Sequence, residues 1–135
     1  MNATWAAEWL RRFSAPDPSD LMEMYADDVR FEDATLDQTF QGKPRVREFF
    51  AAFMNPAERR NSFSLVAYCG DEHGGAVEWT WQAKHAAGKI LGVPAKGKET
   101  NTRGVSVLTF KNGKIATQRD YWDAAAVLRQ LGAIT

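Results

Sequence analysis

The sequence predicts a single α+β domain over residues 1–135, in which a strongly curved antiparallel sheet wraps around N-terminal helices. Apolar residues recur every three or four positions in the first half of the chain and every second position after Asn61, which marks a change from helical to strand periodicity. A length of 135 residues suits one core. A bent sheet closed on one side by helices leaves a cone-shaped hollow, where a small molecule would bind.

One-sided apolar patterns predict three helices in the first half of the chain, over residues 4–15, 18–26 and 42–54. Thr4 is the expected cap of the first helix, and Pro18 suits the first position of the second. Asp27 and Asp28 are expected at the polar end of that second helix. A short fourth helix follows Asp123, which is its expected cap.

Alternating patterns predict strands over residues 29–33, 62–70, 76–86, 99–110 and 114–122, with a further short extended piece after the first. The motifs His73-Gly74-Gly75 and Asn112-Gly113 are hairpin signals, so the sheet is expected to be antiparallel. The segment over residues 86–98, AAGKILGVPAKGK, is expected to be an irregular crossover that could form a mobile rim.

Charge and cysteine content argue against several classes of function. Seventeen Lys and Arg balance seventeen Asp and Glu, so the chain lacks the positive field that binds nucleic acid or anionic membranes. The one cysteine, Cys69, can form no internal disulfide and is expected to be buried in a strand, and no Cys/His spacing suggests a metal site. With no leader or membrane span in the sequence, the expected location is cytoplasmic.

Two stretches of the chain resemble one known superfamily. The stretch YADDVRFEDATLDQTFQGKPRVREFF is typical of SnoaL-like polyketide cyclases and also of ketosteroid isomerases. The stretch GKIATQRDYWDAAAVLRQLG is typical of SnoaL-like polyketide cyclases and limonene epoxide hydrolases. Together they are similar to the SnoaL-like, ketosteroid isomerase-like superfamily, whose fold is called cystatin-like or nuclear transport factor 2-like. The resemblance implies a cone-shaped α+β barrel with a deep hydrophobic pocket, one or two acid-base residues, no cofactor, and a homodimer.

The resemblance also implies roles for individual residues. Asp120, in RDYWD, matches the general base of the cyclases and of the epoxide hydrolase, and Asp33, in FED, matches the carboxylate that moves the proton in ketosteroid isomerases. The Tyr and protonated Asp of the isomerase oxyanion hole correspond by spacing to Trp9 and Ser106. Where the epoxide hydrolase has an Arg and a second Asp, this chain has VEWTWQA. The chain departs least from the SnoaL-like cyclases.

The residues themselves also favour a carboxylate in an apolar pocket. In the predicted strand over residues 114–122, alternation places four residues on one face: Ala116, Gln118, Asp120 and Trp122. Burial would raise the pKa of such a carboxyl group towards the working pH, where it can take up and return a proton. In the alternative interpretation, Asp120 pairs with Arg103 or Arg119 on the sheet surface, and Asp33 is a loop carboxylate that is solvated or accepts backbone hydrogen bonds.

Aromatic side chains are expected to line the pocket and to favour an apolar ligand: Trp79, Trp81, Trp122 and Tyr68. Trp9 and Ser106 complete the predicted substrate-binding set. His85 shares the alternation of Trp79 and Trp81, so it could face the pocket as a donor or proton relay, or else lie exposed at the strand end.

These patterns favour a cofactor-independent acid-base enzyme, a cyclase or an isomerase, that acts on a hydrophobic, carbonyl-bearing small molecule. Asp120 would abstract or relay the proton, and Asp33 would assist or orient. One alternative is a non-catalytic small-molecule-binding or interaction module of the same fold, because no oxyanion hole is evident. Another is epoxide hydrolase-like activation of water by Asp120, which would require a polar cluster around that acid.

Overall fold

Four helices and eight strands make up the computed structural model, which describes all 135 residues. In chain order they are α1 (Ala3–Arg12), α2 (Ser19–Met22), β1 (Tyr25–Asp33), β2 (Gln38–Gln41), α3 (Lys43–Phe53), β3 (Arg59–Gly70), β4 (Gly74–His85), β5 (Lys89–Ile90), β6 (Val93–Pro94), β7 (Glu99–Lys111), β8 (Lys114–Trp122) and α4 (Ala124–Gln130). Because the helices come first and the long strands follow, the α+β class that the sequence predicts is confirmed.

Six strands form one curved sheet in the order β2-β1-β8-β7-β4-β3. β3, β4, β7 and β8 pair as antiparallel neighbours, and the turn residues Asn112 and Gly113 have φ values of 53° and 76°, as that hairpin requires. β1 and β8 instead run parallel, so the sheet is mixed where the sequence predicts an antiparallel one. Hairpin signals describe only strands that are adjacent in the chain, and most of the chain separates these two strands.

The boundaries of α1, which ends at Arg12, and of α2 differ from the sequence-based expectation. Asn2 and not Thr4 caps α1, because its Oδ1 accepts a backbone N–H of the first turn at 2.9 Å. α2 is a single turn of four residues, since β1 already begins at Tyr25. Asp27 and Asp28 therefore lie on a strand, whose pairing with two neighbours outweighs the local helical pattern.

The core is a cluster of 20 buried residues between the sheet and the helices. Trp9, Tyr25 and Phe31 are among its largest fully buried side chains, and burial of one such side chain stabilises the fold by about 1.5–3 kcal/mol. The apolar side of α3 is expected to be core, but three of its side chains also face a hollow: Phe49, Phe50 and Phe53. This helix therefore helps to shape the hollow as well as to fill the interior.

The segment over residues 86–98 is more regular than the sequence predicts. β5 and β6 pair as a small hairpin, whose turn places Leu91 and Gly92 at φ values of 53° and 75°. Ala95 is 1% exposed, and the backbone N–H of Ala86 donates to Glu58 O at 2.8 Å. The segment is thus attached to the residues that precede β3.

No helix has both the length and the apolar character needed to cross a membrane, and the longest, α3, has 11 residues.

Cys69 is exposed, where the sequence predicts a buried residue, because β3 is an edge strand of the sheet.

Candidate active site

A cavity of about 340 Å³ lies between the inner face of the sheet and helices α1 and α3. Fourteen of the 21 residues that line it are hydrophobic, so a ligand would meet mainly apolar and aromatic surface. Its polar side chains fall into two groups, one on the central strands and one near the 86–98 segment: Asp33, Ser106, Gln118 and Asp120, and then Glu58, Arg59 and Lys89. Such size and lining are typical of small-molecule sites.

Parallel pairing of β1 and β8 brings together the two acids that the sequence singles out. Asp33 and Asp120 are register partners, and the backbone N–H of Ala34 donates to Asp120 O at 2.9 Å. Neighbouring strands lie about 4.8 Å apart, so the side chains of register partners are close. Both carboxyl groups line the same cavity.

A hydrogen-bond chain connects a buried indole to Asp120. Trp9 Nε1 donates to Tyr25 Oη at 3.1 Å, and Tyr25 Oη donates to Gln118 Oε1 at 2.6 Å. Gln118 Nε2 then donates to Asp120 Oδ1 at 3.0 Å. An indole N–H can only donate, so the Tyr25 hydrogen is directed to Gln118. The chain therefore holds the Gln118 amide with its NH₂ group towards Asp120.

A second chain reaches the same oxygen from the middle of the sheet. Trp79 Nε1 donates to Ser106 Oγ at 3.0 Å, and Ser106 Oγ donates to Asp120 Oδ1 at 2.6 Å. Asp120 Oδ1 thus accepts two hydrogen bonds, whereas Oδ2 has no partner and is not enclosed by protein atoms. A proton taken from a ligand would therefore bind at Oδ2.

Burial raises the pKa of Asp120 well above its ordinary value, to about 7, and the negative charge of Asp33 adds to the rise. The hydrogen bonds from Ser106 and Gln118 act in the opposite direction, because they stabilise the ionised form. The side chain keeps some accessible surface because it faces the cavity. Its partners are these two side chains and not the surface arginines of the alternative interpretation.

Asp33 is 6% exposed and accepts hydrogen bonds from two neighbours. Trp122 Nε1 donates to it at 3.1 Å, and the backbone N–H of Leu36 donates at 3.0 Å. Burial raises the pKa of Asp33, and these hydrogen bonds limit the rise. Asp33 is therefore buried and not solvated, and it accepts a backbone hydrogen bond, as the alternative interpretation also allows. No third His, Cys, Asp or Glu joins such a pair to make a group that could hold a metal ion.

The cavity wall includes four of the five tryptophans, and each of their indole N–H groups already has a partner. Trp9 donates to Tyr25, Trp79 to Ser106, Trp81 to Asn61 and Trp122 to Asp33. These indole N–H groups are therefore not available to a ligand. Ser106 also lines the cavity, and its hydroxyl hydrogen is directed at Asp120.

His85 and Tyr68, which the sequence predicts to be pocket residues, do not line the cavity. His85 lies on the expected inner face of β4 but is 1% exposed, with Nε2 3.1 Å from Thr100 Oγ1. Tyr68 is covered by α1, because the Trp5 ring packs 6.4 Å from the Tyr68 ring, centroid to centroid. Neighbouring side chains thus occupy the space through which each would reach a ligand.

Arg59 is a cavity residue that sequence reasoning missed. It begins β3 and shares the partly buried side of that strand with Asn61 and Phe63. Its guanidinium lies over the Phe53 ring, with Cζ 5.8 Å from the ring centroid. The predicted strand starts three residues later than β3, so Arg59 lies outside it.

The chain matches the family model described as a SnoaL-like domain over residues 6–118, and no curated protein matches it. TsrD from Streptomyces laurentii is similar in structure, with 20% identity and a TM-score of 0.81 over 97% of this chain and 95% of that one. A candidate polyketide cyclase from Pseudomonas putida also has 20% identity and a TM-score of 0.81, over 96% of this chain and 98% of that one.

A hypothetical protein with a ketosteroid isomerase-like fold from Catenulispora acidiphila, solved in complex with trimethylamine, has 14% identity and a TM-score of 0.79. The match covers 99% of this chain and 96% of the other. At these identities the structural likenesses show the fold. The family model, in contrast, matches most of the sequence itself, and on that match this chain belongs to the SnoaL-like domain family.

Proposed function

We propose that the protein is a cofactor-independent acid-base catalyst of the cyclase or isomerase kind, acting on a hydrophobic small molecule that carries a carbonyl group. The observation that carries this proposal is the state of Asp120, whose pKa is raised to about 7 and whose Oδ2 is free at an apolar cavity. Membership of the SnoaL-like family supports the same kind of role.

The proposed reaction begins when Asp120 Oδ2 takes a proton from the carbon next to the carbonyl group. The electron pair of that C–H bond moves into the carbonyl group and forms an enolate. In an isomerisation Asp120 returns the proton to another carbon. In a cyclisation the enolate carbon attacks a second carbonyl group of the same molecule, and the proton goes to the new alkoxide oxygen. Either way Asp120 ends ionised, as it began.

Asp33 assists in this proposal by its charge. Two neighbouring carboxylates resist ionising together, so the negative charge of Asp33 makes Asp120 a stronger base. The hydrogen bonds from Trp122 and Leu36 hold Asp33 as an acceptor. Asp120 is therefore the member of the pair that exchanges protons with the ligand.

Exchange of hydrogen for deuterium next to a ketone tests the proposal without knowledge of the natural substrate. A panel of cyclic ketones and β-diketones is incubated in D₂O and followed by proton NMR. We expect the native protein to accelerate exchange for at least one compound, and Asp120→Asn to reduce that acceleration roughly 100-fold or more. Asp27→Asn makes the same chemical change at a fully exposed side chain and should leave the rate unchanged.

The catalytic proposal fails if no ketone exchanges faster with the native protein, or if Asp120→Asn retains the full rate. Circular dichroism shows that the variant is folded. The Asn side chain can still accept the hydrogen bonds of Ser106 and Gln118, so we expect it to fold.

Binding without catalysis is a second candidate function, and the state of the indole N–H groups favours it. Because all four in the cavity wall have partners within the protein, none is free to stabilise an enolate oxygen. A non-catalytic module would bind apolar ligands equally well with Asn at position 120, and it would exchange no ketone. Epoxide hydrolase-like chemistry has less support, since Trp79 and Trp81 face the cavity from VEWTWQA.

A further inference from the structure

Arg59 lies in the cavity wall far along the sheet from the acids. It is the register partner of His85, at one end of β4. Asp120 on β8 pairs with Ser106 on β7, and Ser106 pairs with Val77, which lies near the other end of β4. The Arg59 side chain is only 10% exposed. A guanidinium group in such a place is costly to bury unless acceptors and negative charge compensate it.

The protein itself compensates Arg59 only in part. Nη1 donates to Phe53 O at 3.3 Å. Nη2 lies 3.7 Å from Glu58 Oε2, which is too long for a hydrogen bond. Nε is buried and has no partner. A guanidinium group has five N–H donors, so most of them are unused. The Glu58 side chain is 45% exposed, and water therefore weakens its pairing with Arg59.

The other charged groups near Arg59 do not neutralise it. Lys89 lines the same part of the cavity and adds positive charge. Burial and the charge of Arg59 lower the pKa of His85, which favours its neutral form. The two cavity carboxyl groups with raised pKa values, Asp33 and Asp120, belong to the central strands. The Arg59 end is therefore short of negative charge.

We infer that the cavity binds a ligand with an apolar body and a carboxylate group, and that this carboxylate pairs with Arg59. A carboxylate can accept two parallel hydrogen bonds from a guanidinium group, which would use free N–H donors at the Nη end and supply the missing charge. The apolar body lies against the aromatic wall. The inference rests on the proposed function only in assigning the opposite, carbonyl-bearing end of the ligand to Asp120.

Cinnamate and cinnamamide test the inference, because they have nearly the same shape and differ in charge. Isothermal titration calorimetry at pH 7.5 should show cinnamate binding roughly tenfold or more tightly than cinnamamide. Arg59→Gln should remove this preference and leave cinnamamide binding unchanged, whereas Arg59→Lys should keep part of it. Arg60→Gln is the matched control, since Arg60 is exposed on the other side of β3. Glu58→Gln should strengthen cinnamate binding only.

Equal affinity of the native protein for the two compounds would overturn the inference, as would a lack of cinnamate binding at millimolar concentration. So would an Arg59→Gln variant that weakens both compounds alike, because that result would indicate packing and not charge recognition. Asp120→Asn separates this inference from the proposed function. This variant should lose deuterium exchange and keep the preference for cinnamate. If the native protein prefers cinnamate but exchanges no ketone, the proposed catalytic function is refuted and the carboxylate inference stands.

Discussion

Burial and hydrogen bonding act on the pKa of Asp120 in opposite directions. Burial raises it and the charge of Asp33 raises it further, while Ser106 and Gln118 lower it. The result, about 7, is a carboxyl group that is partly ionised near neutral pH and still basic enough to take a proton. Burial, the charge of Asp33 and the two donors together therefore set the pH range in which this residue can act.

Ser106→Ala should shift that range upwards. The substitution removes a donor that stabilises the ionised carboxylate, so the pKa of Asp120 should rise above its present value of about 7. We expect the pH at which deuterium exchange is half-maximal to rise by roughly one pH unit. The pH dependence of the exchange rate measures this change.

Thr102→Val is a control on the same strand. Thr102 is 1% exposed on the inner side of β7, and its Oγ1 is buried without a partner. Replacement of that hydroxyl by a methyl group should raise the free energy of unfolding by about 1 kcal/mol and leave the pH profile in place. An equal pH shift in both variants would show that Ser106 acts through packing and not through its hydrogen bond.

Strand alternation predicts the inner side of β8 correctly from Gln118 onwards and fails before it. A bulge opposite Thr109 and Phe110 shifts the register, so Ile115 is fully buried although alternation predicts Ala116 on the inner face. The hydrogen-bond chain to Asp120 could not be predicted at all. It depends on Tyr25 meeting Gln118, 93 positions away, and no local pattern reports such a contact.

Among the structural elements, the β5–β6 hairpin contains a conflict between local geometry and contact with the cavity. Leu91 has a φ of 53°, a conformation that costs an ordinary residue about 1–2 kcal/mol and that Asn tolerates. Leu91 also lines the cavity and packs against the core. The apolar contact of Leu91 with the core and the cavity wall therefore offsets the strain of its backbone.

Leu91→Asn should therefore separate stability from binding. Relief of strain offsets the lost apolar contact, so the free energy of unfolding should change by less than about 1 kcal/mol. Cinnamamide binding should weaken several-fold, as measured by calorimetry. Asn112→Leu is the mirror control, because Asn112 has the same φ of 53° in a turn outside the cavity lining. That variant should lose about 1–2 kcal/mol of stability and bind cinnamamide normally.

A Leu91→Asn variant that is more stable by the full strain energy and binds cinnamamide as before would show that Leu91 does not contact the ligand.

The same hairpin shows which elements can be predicted from a sequence. α3, β4 and β7 have long periodic patterns, and their predicted limits lie within two residues of the observed ones. β5 and β6 have two residues each, too few to show a period, and the single turn of α2 exists only because its neighbours support it.

Across the whole molecule, the fold places an acidic pair and an arginine on one apolar cavity. The acids come from the parallel pair β1 and β8 in the middle of the sheet, and Arg59 comes from the edge strand β3. A ligand that spans both would be oriented in one direction before any chemistry occurs. The homodimer that the family resemblance implies and the cytoplasmic location expected from the sequence stay predictions.

Titration of buried groups couples the stability of the whole molecule to pH. Asp120 binds a proton more tightly when folded than when unfolded, so its contribution to stability is complete below about pH 4 and is lost as the pH rises through about 7. Asp33, whose pKa is also raised, acts in the same direction. His85 acts oppositely, because its lowered pKa makes folding less favourable as the pH falls below 6.5.

The acid effect should prevail between pH 5 and pH 8, because the rise in the pKa of Asp120 is large and Asp33 adds to it. We expect the free energy of unfolding in urea to fall from pH 5 to pH 8 for the native protein and for the surface control Asp27→Asn. Asp120→Asn has no carboxyl group to ionise, so its stability relative to the native protein should rise over this interval by a few kcal/mol, on the order of the energy of the pKa change. Parallel stability curves for the native protein and Asp120→Asn would mean that Asp120 has an ordinary pKa. A catalytic carboxyl group held in an apolar cavity should instead lower stability at the pH where it works, and its replacement should produce a more stable, inactive protein.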